Sequence, residues 1–445
     1  MNNKRYVVGS LLLTVVLVLA ACSGVTPGPS VKLPEAENAP VTLRLLTWAD
    51  ERYQQLYDKF HEKYPWITIE QVKVEANEKD IVAKVKELQK AGTPADLAWI
   101  DGDLLAYEQQ GMLENLKPYM DKDTSFQDKV LPEGYFDTMD FRGRRLAVPF
   151  VDVPMWIVVN KDLLAKHGVA MPPNTWTFDD FRSIAKQVTD PDAGEYGLTT
   201  SKEFVMRLLP LKAAADGHAA NLAYLNDNMT QSLLNTPAVL DDVRWLTEFV
   251  TEDGSMLSWS KAKEQHDVVR SFMNGKTAFE VGGDWLLPRL KREANFNWDI
   301  LPFPRGKKDQ YSFHIYGPLA LLSGSEHKEE AYKWISFQFE LEAQKWKIDE
   351  GANASVIDPE LTDYIDQAPI WQGRNIEAVK MTKDNGLVLP GATIPGFSDY
   401  NWVNMINEIV FNGYDANHLI PVTNAWNQQT LQLREKWKQQ TVKKE

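Results

Sequence analysis

The side chains suited to acid–base, nucleophilic or metal chemistry do not assemble into a catalytic pattern in this sequence. His61, His167, His218, His266, His314, His327 and His418 are scattered, and none belongs to a His-Glu-x-x-His pair that would set two ligands one helical turn apart. A Gly-x-Ser-x-Gly elbow and a Gly-x-Gly-x-x-Gly dinucleotide fingerprint are both absent. Asn274-Gly275-Lys276-Thr277 has the end of a phosphate loop, but Arg270 stands where the first glycine is needed. Asp190-Pro191-Asp192-Ala193-Gly194 misses the calcium-loop pattern because its glycine comes one residue early. The 62 acidic residues are too many to single out a carboxylate pair for glycoside chemistry. These residues point away from an enzyme and from a metal or cofactor site. The 15 Trp, 15 Tyr and 18 Phe point instead to rings, some of them free to stack on the apolar faces of a ligand.

One residue does carry chemistry. Cys22 is the only cysteine, so no disulfide forms within one molecule and stability comes from burial. It follows Lys4-Arg5, an apolar run from Tyr6 to Leu19, and Ala20-Ala21. That is the order of an export signal, and the run is short for a membrane span. Leu19-Ala20-Ala21-Cys22 resembles the bacterial lipobox, which implies a signal peptide over 1–21 and lipidation at Cys22. The chain would then be held at the outer face of the cytoplasmic membrane through its N-terminal lipid alone. Residues 22–40, rich in Pro, Ser, Gly, Glu and Asn, read as a flexible tether. A formal net charge of -14 disfavours nucleic acid and anionic surfaces.

The elements that would position a site begin at Val41. With 445 residues, two lobes are expected rather than one core. Val41–Thr47 reads as a buried strand, followed by a helix capped by Asp50 with Tyr53, Leu56, Tyr57 and Phe60 on one face. Ile67–Val74 and Asp96–Ile100 read as further strands around a helix bearing Ile81, Val85 and Leu88. Strand–helix alternation predicts a parallel sheet covered on both sides. Further strands are expected at 146–150 and 156–159, on either side of Val151-Asp152-Val153-Pro154, and at 278–281, 298–301 and 319–322. Thr177 with Asp180 opens a helix, one long helix is expected over 328–347, and the chain from Tyr400 is mostly helical.

Taken in order, several segments resemble the bacterial extracellular solute-binding proteins of sugar-type ABC importers, with an architecture like maltose-binding protein. The segments are Leu43 to Trp48 with its aromatic helix, Gly92-Thr93-Pro94-Ala95-Asp96-Leu97 with Gly111-Met112-Leu113, Val148-Pro149-Phe150 through Asn160-Lys161-Asp162-Leu163-Leu164 to Pro172-Pro173-Asn174-Thr175-Trp176, Phe272-Met273-Asn274-Gly275-Lys276-Thr277-Ala278 through Gly283-Asp284-Trp285, and Ile300 to Gly306. The resemblance implies an α/β, two-lobed periplasmic-binding-protein-like type II fold with the ligand cleft between lobes. Lobe one is expected at 41–150 and 305–350, and lobe two at 151–304 and 351–445. It also implies a monomer without catalysis or cofactor, which captures a carbohydrate, expected to be an oligosaccharide, and hands it to ABC permease subunits. A cell-surface hydrolase or an adhesin lipoprotein is the alternative.

A sugar presents hydroxyls in the ring plane and C–H groups on its faces, so its site needs planar polar groups and aromatic rings. Candidates at strand ends and in the matching loops are Trp48, Asp101, Asp103, Asp152, Trp156, Asp284, Trp285, Tyr316 and Trp402, the last following Pro395-Gly396-Phe397. Trp285 leads because Gly282 and Gly283 permit close backbone approach. Trp371 and Arg374 are weaker candidates. Negative charge argues against an anionic sugar unless local arginines reverse it.

Overall fold

A computed structural model of the chain describes residues 39–47, 51–74, 78–100, 104–227, 230–264, 272–389 and 400–442. The export signal, Cys22, Trp48, Asp50, Asp101, Asp103 and Pro395-Gly396-Phe397 lie outside the described residues. Twelve strands are described: β1 Val41–Thr47, β2 Ile67–Lys73, β3 Leu97–Trp99, β4 Asp140–Phe141, β5 Arg144–Arg145, β6 Val148–Pro154, β7 Trp156–Asn160, β8 Tyr196–Leu198, β9 Thr277–Gly282, β10 Trp298–Leu301, β11 Ser312–Leu321 and β12 Gly386–Val388.

The first sheet runs β12-β11-β3-β1-β2, with β6 paired to β11, and the second runs β10-β7-β9-β8. Both are mixed. β1 is parallel to β2 and β3, and β12 to β11, whereas β11 runs antiparallel to β3 and β6. In the second sheet β7 is antiparallel to β9 and β10, and only β8 is parallel to β9. The expected parallel sheet therefore holds for β1, β2 and β3 and fails at the strands that return late in the chain. Alternation of strand and helix fixes local direction only.

β1 is buried on both faces, as its apolar run requires. Leu43 and Leu45 pack with Leu56, Phe60, Trp334 and Phe337, while Leu46 packs with Ile81, Val85, Ala98 and Tyr107. The helix after β1 has the expected apolar face, entered through a 3₁₀ turn at Glu51–Tyr53 and running Gln54–Lys63. The helix Phe178–Gln187 opens on the expected capping box: Thr177 Oγ1 accepts from the Asp180 N–H at 3.1 Å and Asp180 Oδ2 from the Thr177 N–H at 2.8 Å. One face of the second sheet is covered by the segment carrying Trp371, Arg374 and the helix Ile376–Asp384. Trp371 packs edge-on against Trp156 at 5.1 Å, the Arg374 guanidinium lies 3.6 Å from the centre of the Trp298 ring, and Asn375 N–H donates to Asp299 Oδ1.

Two elements depart from expectation for identifiable reasons. The stretch 151–154 is strand: β6 continues unbroken to Pro154 because β11, ten residues long, pairs with it from Leu319↔Val148 to His314↔Pro154. Pro149 and Pro154 are tolerated because β11 is the only named strand with which β6 pairs. The expected long helix is two, Lys328–Phe337 and Leu341–Asp349. Glu340 is extended between them, and the freed Gln338 carbonyl accepts from Gln344 Nε2 at 2.6 Å and Lys347 Nζ at 3.1 Å. Among the described residues no helix is long and apolar enough to cross a membrane.

The β6–β11 register shifts between Tyr316 and Pro318. At that step a Cβ on Gly317 would lie 2.8 Å from Cε2 of the Trp99 indole, so the close approach of ring to strand requires glycine. Gly317→Ala is expected to destabilise the fold by about 1–3 kcal/mol through this overpacking, seen as a lower urea midpoint; an unchanged midpoint would show that Trp99 moves aside freely.

Candidate functional site

Where the bulge opens, β3, β6 and β11 from the first sheet meet the turn that leaves β9. A cavity of about 360 Å3 lies there, lined by Arg52, Tyr53, Trp99, Ile100, Val151, Val153, Arg207, Asp284, Trp285, Ile315, Tyr316, Gly317 and Pro318. Its volume lies within the range of small-molecule sites. One wall is aromatic. Tyr53 and Trp99 meet edge to face at 5.3 Å, and Phe150 supports both, at 5.3 Å from Tyr53 and 4.8 Å from Trp99. Tyr316 leans on Tyr135 at 5.3 Å. Trp285 stands apart from this packing: its side chain is 40% exposed, whereas Tyr53 is 4% exposed. An exposed indole inside a concavity is an open stacking face.

The charged groups nearly balance. Arg52 Nη1 lies 3.7 Å from both Asp284 Oδ2 and Glu350 Oε2, joining the turn after β1 to the turn after β9. Arg207 Nε is 3.4 Å from Glu203 Oε2, and its guanidinium lies 4.7 Å from the Phe313 ring centre. Within the lining, burial pushes the Tyr316 hydroxyl up, helped by the charge of Asp152. Burial also lowers Lys347 to about 7 against the pull of Asp152. Glu280 on β9 is pushed up to about 8 by burial, with Glu203 adding to the shift and hydrogen bonds from the Val281 N–H and Thr199 opposing it.

Of the residues singled out in the sequence, Asp284, Trp285 and Tyr316 are brought together in this cavity. Asp152 and Trp156 are not. Asp152 faces inward from β6, bonded to His314 and Asn353, and Trp156 is fully buried with its indole N–H on Thr382 Oγ1 at 3.2 Å. Trp402 is 7% exposed and packs edge to face on Tyr224. Trp371 and Arg374 are held on the second sheet. The structure therefore sets these residues apart from the cavity: Asp152 and Trp156 lie on strand faces covered by neighbouring elements, and Trp402 opens the helix Trp402–Asn412 with its ring against the core. The glycine argument for Trp285 also changes. A Cβ on Gly283 would sit 2.6 Å from Trp285 Cζ3 and 2.8 Å from Val153 Cγ1, so Gly283 makes room for the tryptophan ring itself.

Arg52, Tyr53, Trp99, Arg207 and Ile315 line the cavity and were not among the sequence candidates. Trp99 could have been found, because it ends β3 as Trp48 follows β1. Arg207 could not, since it reaches the cavity from a π-helical turn, Phe204–Leu208, with no sequence signature. Among the described residues Asp216, His218 and Asp242 come close enough to share a cation. Lys212 Nζ already fills that role, at 2.6 Å from Asp216 and 2.8 Å from Asp242.

The family model for bacterial extracellular solute-binding proteins matches residues 55–353. The chain belongs to this family. A binding protein of Brucella abortus is 25% identical over 253 residues, which are 56% of this chain and 59% of that one, so the chain spans about three fifths of the length of that curated relative. An uncharacterised lipoprotein of Streptomyces antibioticus is 24% identical over 338 residues, 73% of this chain and 71% of its own. Among solved structures, the Listeria monocytogenes ABC substrate-binding protein in complex with cycloalternan superposes with a TM-score of 0.75 at 20% identity, covering 89% of this chain and 100% of that one. The solute-binding protein thus has the expected two-lobed α/β fold.

Glu280 gives this region a pH signature. Its folded pKa lies above the ordinary 4.5, so its contribution to stability is full below about 4.5 and is lost as pH rises through about 8. Glu280→Gln is expected to flatten the pH dependence of the urea midpoint across that window; an identical slope in both proteins would show that Glu280 titrates normally.

Proposed function

We propose that this solute-binding protein is a lipid-anchored receptor on the outer face of the cytoplasmic membrane. It captures a carbohydrate in the described cavity, closes its lobes on it, and delivers it to ABC permease subunits without turnover. The observation that carries this reading is the exposed Trp285 indole sharing one cavity with the Tyr53–Trp99 wall, Asp284 and two arginines. Rings bind the C–H faces of a saccharide, while guanidinium and carboxylate groups bind its hydroxyls as donors and acceptors. Arg52 and Arg207 are each matched by a carboxylate, so the site suits a neutral polyhydroxyl ligand rather than an anion. The Listeria neighbour with cycloalternan supports a saccharide, and the Streptomyces relative's description supports lipid attachment at Cys22.

An oligosaccharide is favoured over a single sugar because a second cavity of about 470 Å3 adjoins the first. It shares Arg52 and is lined also by Pro288, Lys291, Arg292, Glu350 and Ile370. Arg52 follows β1 of the first sheet and Asp284 follows β9 of the second, so their pairing spans the two sheets and lobe closure would tighten it. Ligand drives closure only by its greater affinity for the closed form. The receptor acts as a monomer and takes no cofactor.

Calorimetric titration of the chain from Val41 onward against mono- and oligosaccharides is expected to show saturable one-to-one binding without product release. No heat from folded, ligand-free protein would move the assignment to another solute or to an adhesin, and released product would make it a hydrolase. Trp285→Ala is expected to weaken that binding about tenfold or more, since stacking adds about 0.5–1.5 kcal/mol beyond burial; unchanged affinity would remove Trp285 from the site. Cys22→Ala is expected to release the protein from membranes, and retained lipid labelling would refute lipidation at that residue.

A further inference from the structure

Val151 and Val153 of β6 and Ile315 of β11 line the cavity, and between and beside them stand Asp152 and His314. Strand alternation turns Asp152 to the face away from Val151 and Val153. Asp152 is 7% and His314 4% exposed. His314 Nδ1 lies 2.8 Å from Asp152 Oδ1, and Nε2 lies 2.7 Å from the Thr382 carbonyl oxygen. A neutral imidazole offers one N–H and one lone pair. Here both ring nitrogens face acceptors, one a carboxylate and one a carbonyl, so a neutral ring would turn a lone pair toward one of them. The arrangement is satisfied by an imidazolium paired with a carboxylate.

The surroundings hold the ring in that place. A Cβ on Gly386 would lie 2.6 Å from the imidazole Cε1 and Nε2, so β12 lays bare backbone against the ring. Ser312 Oγ donates to the same Thr382 carbonyl at 2.6 Å. Thr382 Oγ1 accepts the indole N–H of Trp156 on β7. On the other side Asn353 Nδ2 lies 3.3 Å from Asp152 Oδ2, and the Asn353 N–H donates to the Asp152 carbonyl at 2.7 Å. One imidazole therefore ties the two cavity strands to the helix Ile376–Asp384, which is itself seated on the second sheet.

We propose that His314 is a positioning residue for the cavity: as an imidazolium it clamps Asp152 of β6 and the Thr382 carbonyl together, and its deprotonation releases the two lining strands from that helix. The proposal rests on the reading of this cavity as the ligand site, but its test needs no ligand.

The titratable groups facing the pair are Lys347 from the helix Leu341–Asp349, Tyr135 and Tyr316, each of which acts on or feels Asp152. Burial opposes the charge on His314, but Asp152 and the Thr382 carbonyl outweigh it and raise its pKa above the ordinary 6.5. Lys347, lowered to about 7 by burial, is not a lasting counter-ion for Asp152 above that pH. The signs separate the two. The His314 contribution is full below about 6.5 and lost as pH rises through its folded pKa, whereas a lowered lysine makes stability rise with pH between about 7 and 10.5.

The test is nitrogen-15 NMR of histidine-labelled protein, assigned with His314→Gln, together with amide hydrogen exchange along 151–153 and 314–316 as a function of pH. His314 is expected to show two protonated ring nitrogens at a pH where exposed histidines have become neutral. Protection of the cavity strands, corrected for intrinsic exchange, is expected to fall about tenfold for each unit by which the folded pKa is raised. Asp152→Asn keeps the shape and removes the charge, so it should return His314 to one protonated nitrogen and give the loosened exchange pattern at neutral pH. It serves as the second variant if His314→Gln does not fold. A His314 that loses its second proton no later than exposed histidines do in the unmodified protein, or strand protection that stays level through the His314 titration, would overturn the proposal, whatever saccharide the cavity is later found to bind.

Discussion

The antiparallel pairing of β6 with β11 is the constraint on which the rest of the site depends. Their ladder spans seven residues of β6 and shifts register once, between Tyr316 and Pro318. A register slip would move every side chain to the other face. The bulge therefore decides which residues of both strands look into the cavity and which look into the protein. It presents Val151, Val153, Ile315 and Tyr316 to the cavity and leaves Asp152 and His314 beneath it. Because β6 runs through Met155 directly into β7, the same pairing also connects the two sheets.

Around this ribbon the aromatic residues divide into two roles by burial alone. Tyr53, Phe150, Trp334 and Trp346 interlock as core, with ring centres about 5–6 Å apart. They form a stiff backing for Trp99 and the cavity wall. Trp285 is the exception, held on a short 3₁₀ turn, Asp284–Leu286, whose preceding glycine makes room for its ring. A rigid wall opposite one exposed ring loses little side-chain freedom when a flat ligand enters, which favours binding by preorganisation.

Electrostatics in the cavity are arranged in pairs. Arg52 and Arg207 sit within reach of carboxylates, at 3.4–3.7 Å. Beneath the floor the charges are dehydrated, and there the protein compensates by full hydrogen bonding: both nitrogens of His314 and both oxygens of Asp152 have partners. The cavity pairs keep some access to solvent, and the pair beneath them is sealed from it.

The sequence by itself determined most of the elements and the class. The apolar run 41–47, the Thr177–Asp180 capping box and the Trp298–Leu301 strand are each fixed by local periodicity and end signals, and the order of segments carried the family and its two-lobed fold. It also pointed to Asp284, Trp285 and Tyr316, because a glycine pair and a Gly-Pro step mark close approach. Tertiary structure alone decided the rest. Whether Trp156, Trp285 and Trp402 are core or cleft depends on what packs against each strand and helix, which a single chain of residue types does not encode locally. The antiparallel return of β11, the arrival of Arg207 from a π-helical turn, and the meeting of His314 with Asp152 across 162 residues are long-range pairings. Their physical cause is the burial of two mixed sheets around shared strands, and that burial exists only once the whole chain has folded.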